Sequence, residues 1–514
     1  MIYLDWNNIN TNRDTSALGP IEYDQTKVPS LIRKHADNVR TKTYGQEVRE
    51  AQARNAEVAG LIANESVGIS NNIKGRQDII ESDFNLLQQE ITNKDVISAP
   101  EIITARNGEN TLNDYLDTLA KKDEFTKSLN YSKPVDDAAY SWWINPLAIT
   151  KVSKTFISSV GSTGKMTITC FDHDTKTMER TEIADYEGDD HNAMSVNFMR
   201  DGRVIVMYAR HNADSVVRAR VSVRPYDITE FGAEVILQSS GGVTYVQSFD
   251  SGFDQYLRII YRTGVYKWGT ALFNRDTGKF ETSERIWLDS GSGQYYVLAM
   301  PYGDGSRRTR LFMYGHPIID PLKNHVRYGY IGANGELSTV GGVTLASMDK
   351  DGNLPTSPDQ YFLAYTPQSG KKMRLLDVPI STTPKFIFSE FDNGDNSQYK
   401  EAVWNGTSFD TSDISESGKA VEVPVGGNFY FGGVSYEKRD DNTIYLAKEV
   451  NGLWKIEKWV KTGGSWAFDE LLDENGDKIF RPYSIFNSTS DMKLTYLKGT
   501  YQSYTNYNAS MFTK

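Results

Sequence analysis

Only six histidines occur in the 514 residues, so the company each one keeps is informative. His191 lies in Gly188-Asp189-Asp190-His191-Asn192, at a turn leading into the strand-like run around Ser195–Met199. His211 closes the following run in Tyr208-Ala209-Arg210-His211-Asn212, and His316 ends another in Tyr314-Gly315-His316-Pro317. Imidazole gains or loses a proton near neutral pH, and three of them at strand ends would build one polar pocket if those ends converge. Tyr245 and Arg262 come next along the chain and could join them. Trp142 and Trp143 offer flat apolar faces of the kind that stack on a pyranose ring.

Residue type alone leaves three readings open. In acid–base chemistry on a glycan, a His or Tyr would move the proton and Arg262 would neutralise a carboxylate. Metal binding could use two or three His, but the spacing matches no compact ligand motif and no metal site is assigned. In the structural reading, Asp190 holds His191, a backbone carbonyl holds His211, and both rings simply cap strands. Runs such as Asp392-Asn393-Gly394-Asp395 and Asp473-Glu474-Asn475-Gly476-Asp477 lack the full calcium-loop pattern and read as Asx-type turns. There is no Gly-rich phosphate loop and no nucleophile elbow, and no cofactor is expected. Cys170 is the single cysteine, which rules out an intrachain disulfide and a Cys cluster; it reads as a small buried hydrophobe in a strand.

The elements that must position these residues are strands. The chain carries 30 Tyr, 22 Phe, 9 Trp and 41 Gly, a balance that suits short antiparallel strands joined by tight turns. Strand-like runs follow one another at Lys165–Phe171, Arg203–Ala209, Val216–Val223, Tyr256–Tyr261, Arg310–Tyr314, His325–Ile331, Phe429–Val434 and Thr443–Ala447. Turns such as Asp172-His173-Asp174-Thr175 and Asn274-Arg275-Asp276-Thr277-Gly278 recur at roughly the 50-residue length of one four-stranded propeller blade. The expected fold is mainly β, a β-propeller over 140–514 with about seven blades, five or six being the alternatives and a β-sandwich the runner-up.

Composition shifts near residue 135, before which Lys, Glu, Asn, Gln and Ala dominate. A helix is expected from Asp24 to Ile69, with Pro29 in its first turn. Val48, Ala51, Asn55, Val58, Ile62, Glu65 and Ile69 step by threes and fours like a coiled-coil seam. Ile80, Phe84, Leu87 and Ile91 repeat the stripe, and Gly68 to Gly75 could hinge the two. Residues 24–135 are therefore expected to form an α-helical, coiled-coil-like oligomerisation stem, and 1–23 an anchoring N-terminus.

Several segments resemble the BNR-repeat propeller family that includes polysaccharide lyases of the ulvan-degrading kind. They include Trp142-Trp143-Ile144-Asn145-Pro146, Asp189-Asp190-His191-Asn192, Arg210-His211-Asn212, Tyr261-Arg262 and Gly315-His316-Pro317. Further on come Phe429-Tyr430-Phe431-Gly432-Gly433, Arg481-Pro482 and Gly499-Thr500-Tyr501-Gln502-Ser503-Tyr504. The resemblance implies that His191, His211, Tyr245 and Arg262 are the catalytic set if the chain is a lyase acting on uronate-containing polymers. It also implies ligand contacts from Trp142, Trp143, Asp190, His191, Asn192, His211, Arg262, His316 and Arg481. The family usually has a Pro where Asn192-Ala193-Met194 stands here.

The segment from Lys94 to Leu116 instead resembles linkers in baseplate and tail-fibre proteins of Gram-positive, notably staphylococcal, phages. That resemblance implies a homotrimeric receptor-binding protein of the virion tail, with baseplate proteins and a bacterial cell-wall glycan, wall teichoic acid, as partners. Two function classes therefore stand side by side, a tail receptor-binding protein and a tail-borne lyase or depolymerase. The formal charge of −11 argues against nucleic acid or acidic lipid held by general electrostatics. The first residues, Met1-Ile2-Tyr3-Leu4-Asp5-Trp6, show no signal-peptide pattern, and no apolar run is long enough for a membrane span. Synthesis in a host cytoplasm and no membrane insertion are expected.

Overall fold

The structure is a computed structural model and describes residues 30–40, 135–250, 255–350, 353–422, 429–438 and 440–514. The chain divides into two units, Met1–Ala120 and Lys121–Lys514. In the first, Ser30–Arg40 is an α-helix, within the span expected to be helical. The two apolar stripes, the Gly68–Gly75 hinge, the anchoring segment 1–23 and the linker from Lys94 to Leu116 lie outside the described residues. No described helix is long and apolar enough to cross a membrane.

The described part of the second unit is mainly β and forms a β-propeller. Seven antiparallel sheets follow one another in chain order, at 148–185, 195–238, 243–289, 295–365, 372–416, 433–475 and 478–513. Nearly all paired strands are adjacent in sequence, so short turns suffice; the exceptions are Arg285–Asp289, which pairs with Lys267–Asn274, and Phe362–Tyr365, which pairs with Val326–Ile331. The first strands of neighbouring sheets contact one another, which makes them the inner strands of the blades. The number of sheets matches the expected seven and sets aside five or six. The fourth sheet has six strands, and its extra pair explains why the later spacing looks irregular in sequence.

Burial accounts for the sequence pattern. The inner strand Tyr295–Pro301 (YYVLAMP) is buried almost throughout, because blades pack on both of its faces. Such a strand reads as a continuous apolar run, without the alternation of a half-exposed sheet. The outer strand Thr177–Asp185 (TMERTEIAD) is mostly open to solvent and correspondingly polar. Cys170 is buried in the strand Lys165–Asp172, as a small hydrophobe, and burial pushes its thiol up to about 12.

The ring is closed by the segment that precedes the first blade. Val135 pairs with Met511 through N–H···O bonds of 2.8 and 2.9 Å, taking the outer position of the three-stranded seventh sheet. Ile149 of the first blade bridges to Phe486 beside the seventh. The propeller thus recruits chain from Val135 onward, before the Tyr140 at which it was expected to begin. The expected turns are Asx turns: Asp172 Oδ1 accepts from the N–H groups of Asp174 and Thr175, each at 3.0 Å. Asn393 and Asn475 do the same for Asp395 and Asp477. One expected strand needs correction. Phe429–Val434 is not continuous; Tyr430 bridges only to Glu422, and the strand begins at Gly433, whose φ of +101° suits glycine.

Candidate functional site

The sequence around His191 folds as one turn of 3-10 helix, Asp190–Asn192, capped by Asp189. Asp189 Oδ1 accepts from the His191 backbone N–H at 2.9 Å and sits 2.7 Å from His191 Nδ1. Its other oxygen, Oδ2, lies 2.8 Å from His211 Nδ1. One carboxylate therefore anchors both rings through the same nitrogen, which leaves both Nε2 atoms directed away from it. The rings stack at 4.0 Å with 13° between their planes. Asn192, buried beneath them, accepts from the His211 backbone N–H at 2.8 Å. The partners expected from sequence change accordingly. Asp189 joins the expected Asp190 in holding His191, the two carboxylates lying 2.7 and 3.1 Å from its Nδ1, and a side chain, not a carbonyl, holds His211.

The environment drives the two imidazoles apart. Burial opposes a charge on His191, but the carboxylates of Asp190 and Asp189 more than offset it and hold its pKa at about 9. His211 is lowered, by burial first and then by the neighbouring His191 charge, against the pull of Asp189. Near neutral pH, His191 is a cation and His211 a neutral base with a free Nε2. Asp189 is itself held well below the usual carboxylate range; burial opposes its charge, and the hydrogen bonds from the two His outweigh that. Such a split between paired groups is how one site holds a base and a cation together.

Two backbone irregularities aim further side chains at the same place. In the inner strand Val243–Asp250, the register slips opposite Ile260 and Arg262, forming a bulge at Tyr245. Tyr245 adopts φ +57°, rare for a bulky residue. In the inner strand Lys478–Ser484, the register slips between Phe480 and Tyr483, and Arg481 has φ +52°. Bulges re-aim side chains, and non-glycine residues held at positive φ cluster at functional sites.

These residues line a cavity of about 460 Å³. Its wall contains His191, His211, Tyr245 and Arg262, brought together as expected, with Trp142 and Arg481. Tyr504 meets both imidazoles edge-on, at 4.9 and 5.4 Å. Arg262 lies over the Tyr245 ring at 4.9 Å and is 3 % exposed. With its amide oriented to satisfy both neighbours, Asn212 accepts from Arg262 Nη2 at 3.1 Å. Arg262 Nε has no hydrogen-bond partner, and no described carboxylate pairs with this guanidinium.

Four expected contact residues lie elsewhere. Trp143 is 1 % exposed and stacks between Tyr296 and Tyr314 in the core, at 5.0 and 5.1 Å, so it is no sugar platform. His316 Nδ1 accepts from the N–H groups of Ile318 and Ile319, both at 3.2 Å. It caps a turn, outside the cavity lining, and burial with the nearby Arg374 and Arg262 charges lowers its pKa to about 3. Asp190 and Asn192 are fully buried behind the histidines. Asp190 pairs with Arg481, whose Nη2 also donates to Tyr501 at 2.6 Å.

Sequence reasoning missed Asp189, Tyr504, Tyr430 and Glu422 as wall or anchor residues. The first three stand inside segments singled out above, so the motifs pointed at them without assigning roles. Glu422 gave no signal at all. Asp189, His191 and His211 each bring one ligand atom within 4.8 Å of the others, a spacing that could hold a cation.

No curated protein matches the sequence. Among solved structures, the fold is similar to a polysaccharide lyase of family PL25, an ulvan lyase bound to -[GlcA(1-4)Rha3S]-. The TM-score is 0.56 at 15% identity, over 74% of this chain and 94% of that one. The same ulvan lyase without that ligand gives equal values, and the polysaccharide lyase Uly1 gives 0.49 at 12% identity over 75% and 97%. The model of BNR repeat-containing family members matches residues 154–417, which is the second strand of the first blade to the end of the fifth. With its seven blades and its matched repeats, the chain belongs to the BNR repeat-containing family.

Proposed function

We propose that this protein is a polysaccharide lyase that cleaves a uronate-containing glycan by β-elimination. The observation that carries the reading is a neutral His211 beside a buried Arg262 that has no carboxylate partner, in one cavity. The likeness in fold to polysaccharide lyases supports a carbohydrate substrate. An uncompensated buried guanidinium calls for an anion, and a planar carboxylate matches its fork. Arg262 and the His191 cation neutralise the uronate carboxylate and so acidify the C5 proton. His211 Nε2 removes that proton, its electron pair forms the C4=C5 double bond, and the C4–O bond to the preceding sugar breaks. The Tyr245 phenol, kept protonated by burial, gives its proton to the leaving oxygen.

Glycosylated polyol phosphate, the substance of wall teichoic acid, has no proton beside a carboxylate, so this machinery has no work to do on it. That favours the uronate reading over a receptor-binding head for teichoic acid. Incubating the protein with uronate polymers should generate the ultraviolet absorbance of an unsaturated uronate, and His211→Ala should abolish it. Adsorption to cell walls that depends on teichoic acid, with no such product, would instead favour the receptor-binding reading. The homotrimeric, baseplate-attached setting in a virion tail is a separate proposal, carried by segments outside the described residues. Sedimentation of the full chain against one lacking residues 24–69 tests it, and a trimer surviving the deletion would remove the stem from that role.

A further inference from the structure

Beside the histidine pair, the cavity wall divides chemically into two parts. Arg262, Tyr245 and Asn212 form one part. The other is Trp142, Tyr430 and Glu422, with Tyr430 stacked on Trp142 at 6.5 Å and 18°. Glu422 and Tyr430 are cross-strand partners in an antiparallel bridge, so their side chains emerge side by side. Glu422 is 5 % exposed, and its carboxyl makes no hydrogen bond or ion pair with any described residue. A buried carboxyl without a partner costs free energy unless a ligand completes it. Of the cations that act on it, Arg481 is already committed to Asp190 and Tyr501, and Arg374 lies over the Tyr430 ring at 3.5 Å. Burial raises the Glu422 pKa.

Resting on the lyase reading, we propose that Trp142, Tyr430 and Glu422 form the subsite for the sugar adjoining the uronate, and that this sugar is neutral. Its apolar face lies on the aromatic pair and a hydroxyl meets Glu422. A hydroxyl suits the carboxyl in either state, since it can donate to the ionised form and accept from the protonated one. A sulfate or a second carboxylate would be placed against an acidic group whose neighbour Arg481 is already paired with Asp190. Glu422 is thus a specificity residue and Arg262 the reader of the single anionic group.

The test uses two polymers of one uronate-containing backbone, one unsulfated and one sulfated on the neighbouring sugar. The initial rate of unsaturated-uronate formation should be at least about tenfold higher on the unsulfated polymer, and Glu422→Gln should narrow that ratio. Equal or faster cleavage of the sulfated polymer overturns the proposal, as does a ratio that Glu422→Gln leaves unchanged in a variant of normal melting temperature. Calorimetric binding of the two matched oligosaccharides to the His211→Ala chain reads the subsite without catalysis. If neither polymer yields product, the lyase reading fails, and the binding preference still decides the subsite: tighter binding of the unsulfated oligosaccharide upholds it, and no preference overturns it.

Discussion

Asp189 and Asp190 are neighbours in sequence, both buried, and they serve opposite ends. Asp190 belongs chiefly to a closed cluster in which its Oδ2, Arg481, Tyr501 and the Tyr140 carbonyl satisfy one another, while its Oδ1 lies 3.1 Å from His191 Nδ1. Asp189 belongs to an open one, in which its two oxygens are spent on His191 and His211 and the reactive nitrogens face a cavity. In the first cluster, charge is consumed to join the second blade to the seventh. In the second, it is arranged and left available, with Arg262 as the cation still to be matched. The contrast separates structural from functional polar groups by whether their valences are filled from within.

The comparison can be broken by variants on either side. The largest effect is expected from His211→Ala, which should lower kcat on a uronate polymer by roughly 10²- to 10⁴-fold while the melting temperature stays near that of the parent. Arg481→Ala acts on the other side; it strands Asp190 and should cost about 3–5 kcal/mol in denaturant unfolding. If the two variants exchanged these phenotypes, the division would be wrong. Asp189→Asn removes the anchor but keeps the shape. It should lower the His191 pKa and shift the basic limb of the rate profile to lower pH, measured as kcat against pH.

The parent profile should fall as pH rises through about 9, where His191 loses its proton. On the acid side it should hold until His211 protonates, below the usual histidine range. Stability follows the same group. Because the folded pKa of His191 is raised, its contribution is fully present below its ordinary value of 6.5 and is lost as pH climbs through about 9. Thermal melts across that window should show it. The smallest effect is expected from Tyr140→Phe, which removes the 2.9 Å bond to the Arg481 carbonyl and should cost roughly 1 kcal/mol.

The sequence made the blades legible because short strands with Asx turns repeat locally, and the matched strands begin and end within a residue or two of their expected limits at Lys165, Arg203, Val216 and Tyr256. The cluster of His191, His211, Tyr245 and Arg262 was legible through motif wording. Trp143 and His316 were misplaced because residue type does not say on which side of a strand end a side chain emerges. Asp189 was passed over for Asp190 because either carboxylate could reach His191, and the 3-10 turn brings both to it, at 2.7 and 3.1 Å. Glu422 was invisible, since its role depends on a bridge to Tyr430 and on a ring of blades closing around it.

That closure sets a condition on how the protein becomes competent. Tyr140 and Arg481 touch across 341 residues of chain, and Trp142 enters the cavity from the segment whose start is stitched to the final blade. Contacts this distant in sequence form late and slowly, because a long loop must close before they contribute. A chain emerging from the ribosome would carry both histidines well before it carried a cavity. Activity should therefore appear only with the last blade in place, and a chain stopped before Arg481 should be inert however well its earlier blades fold.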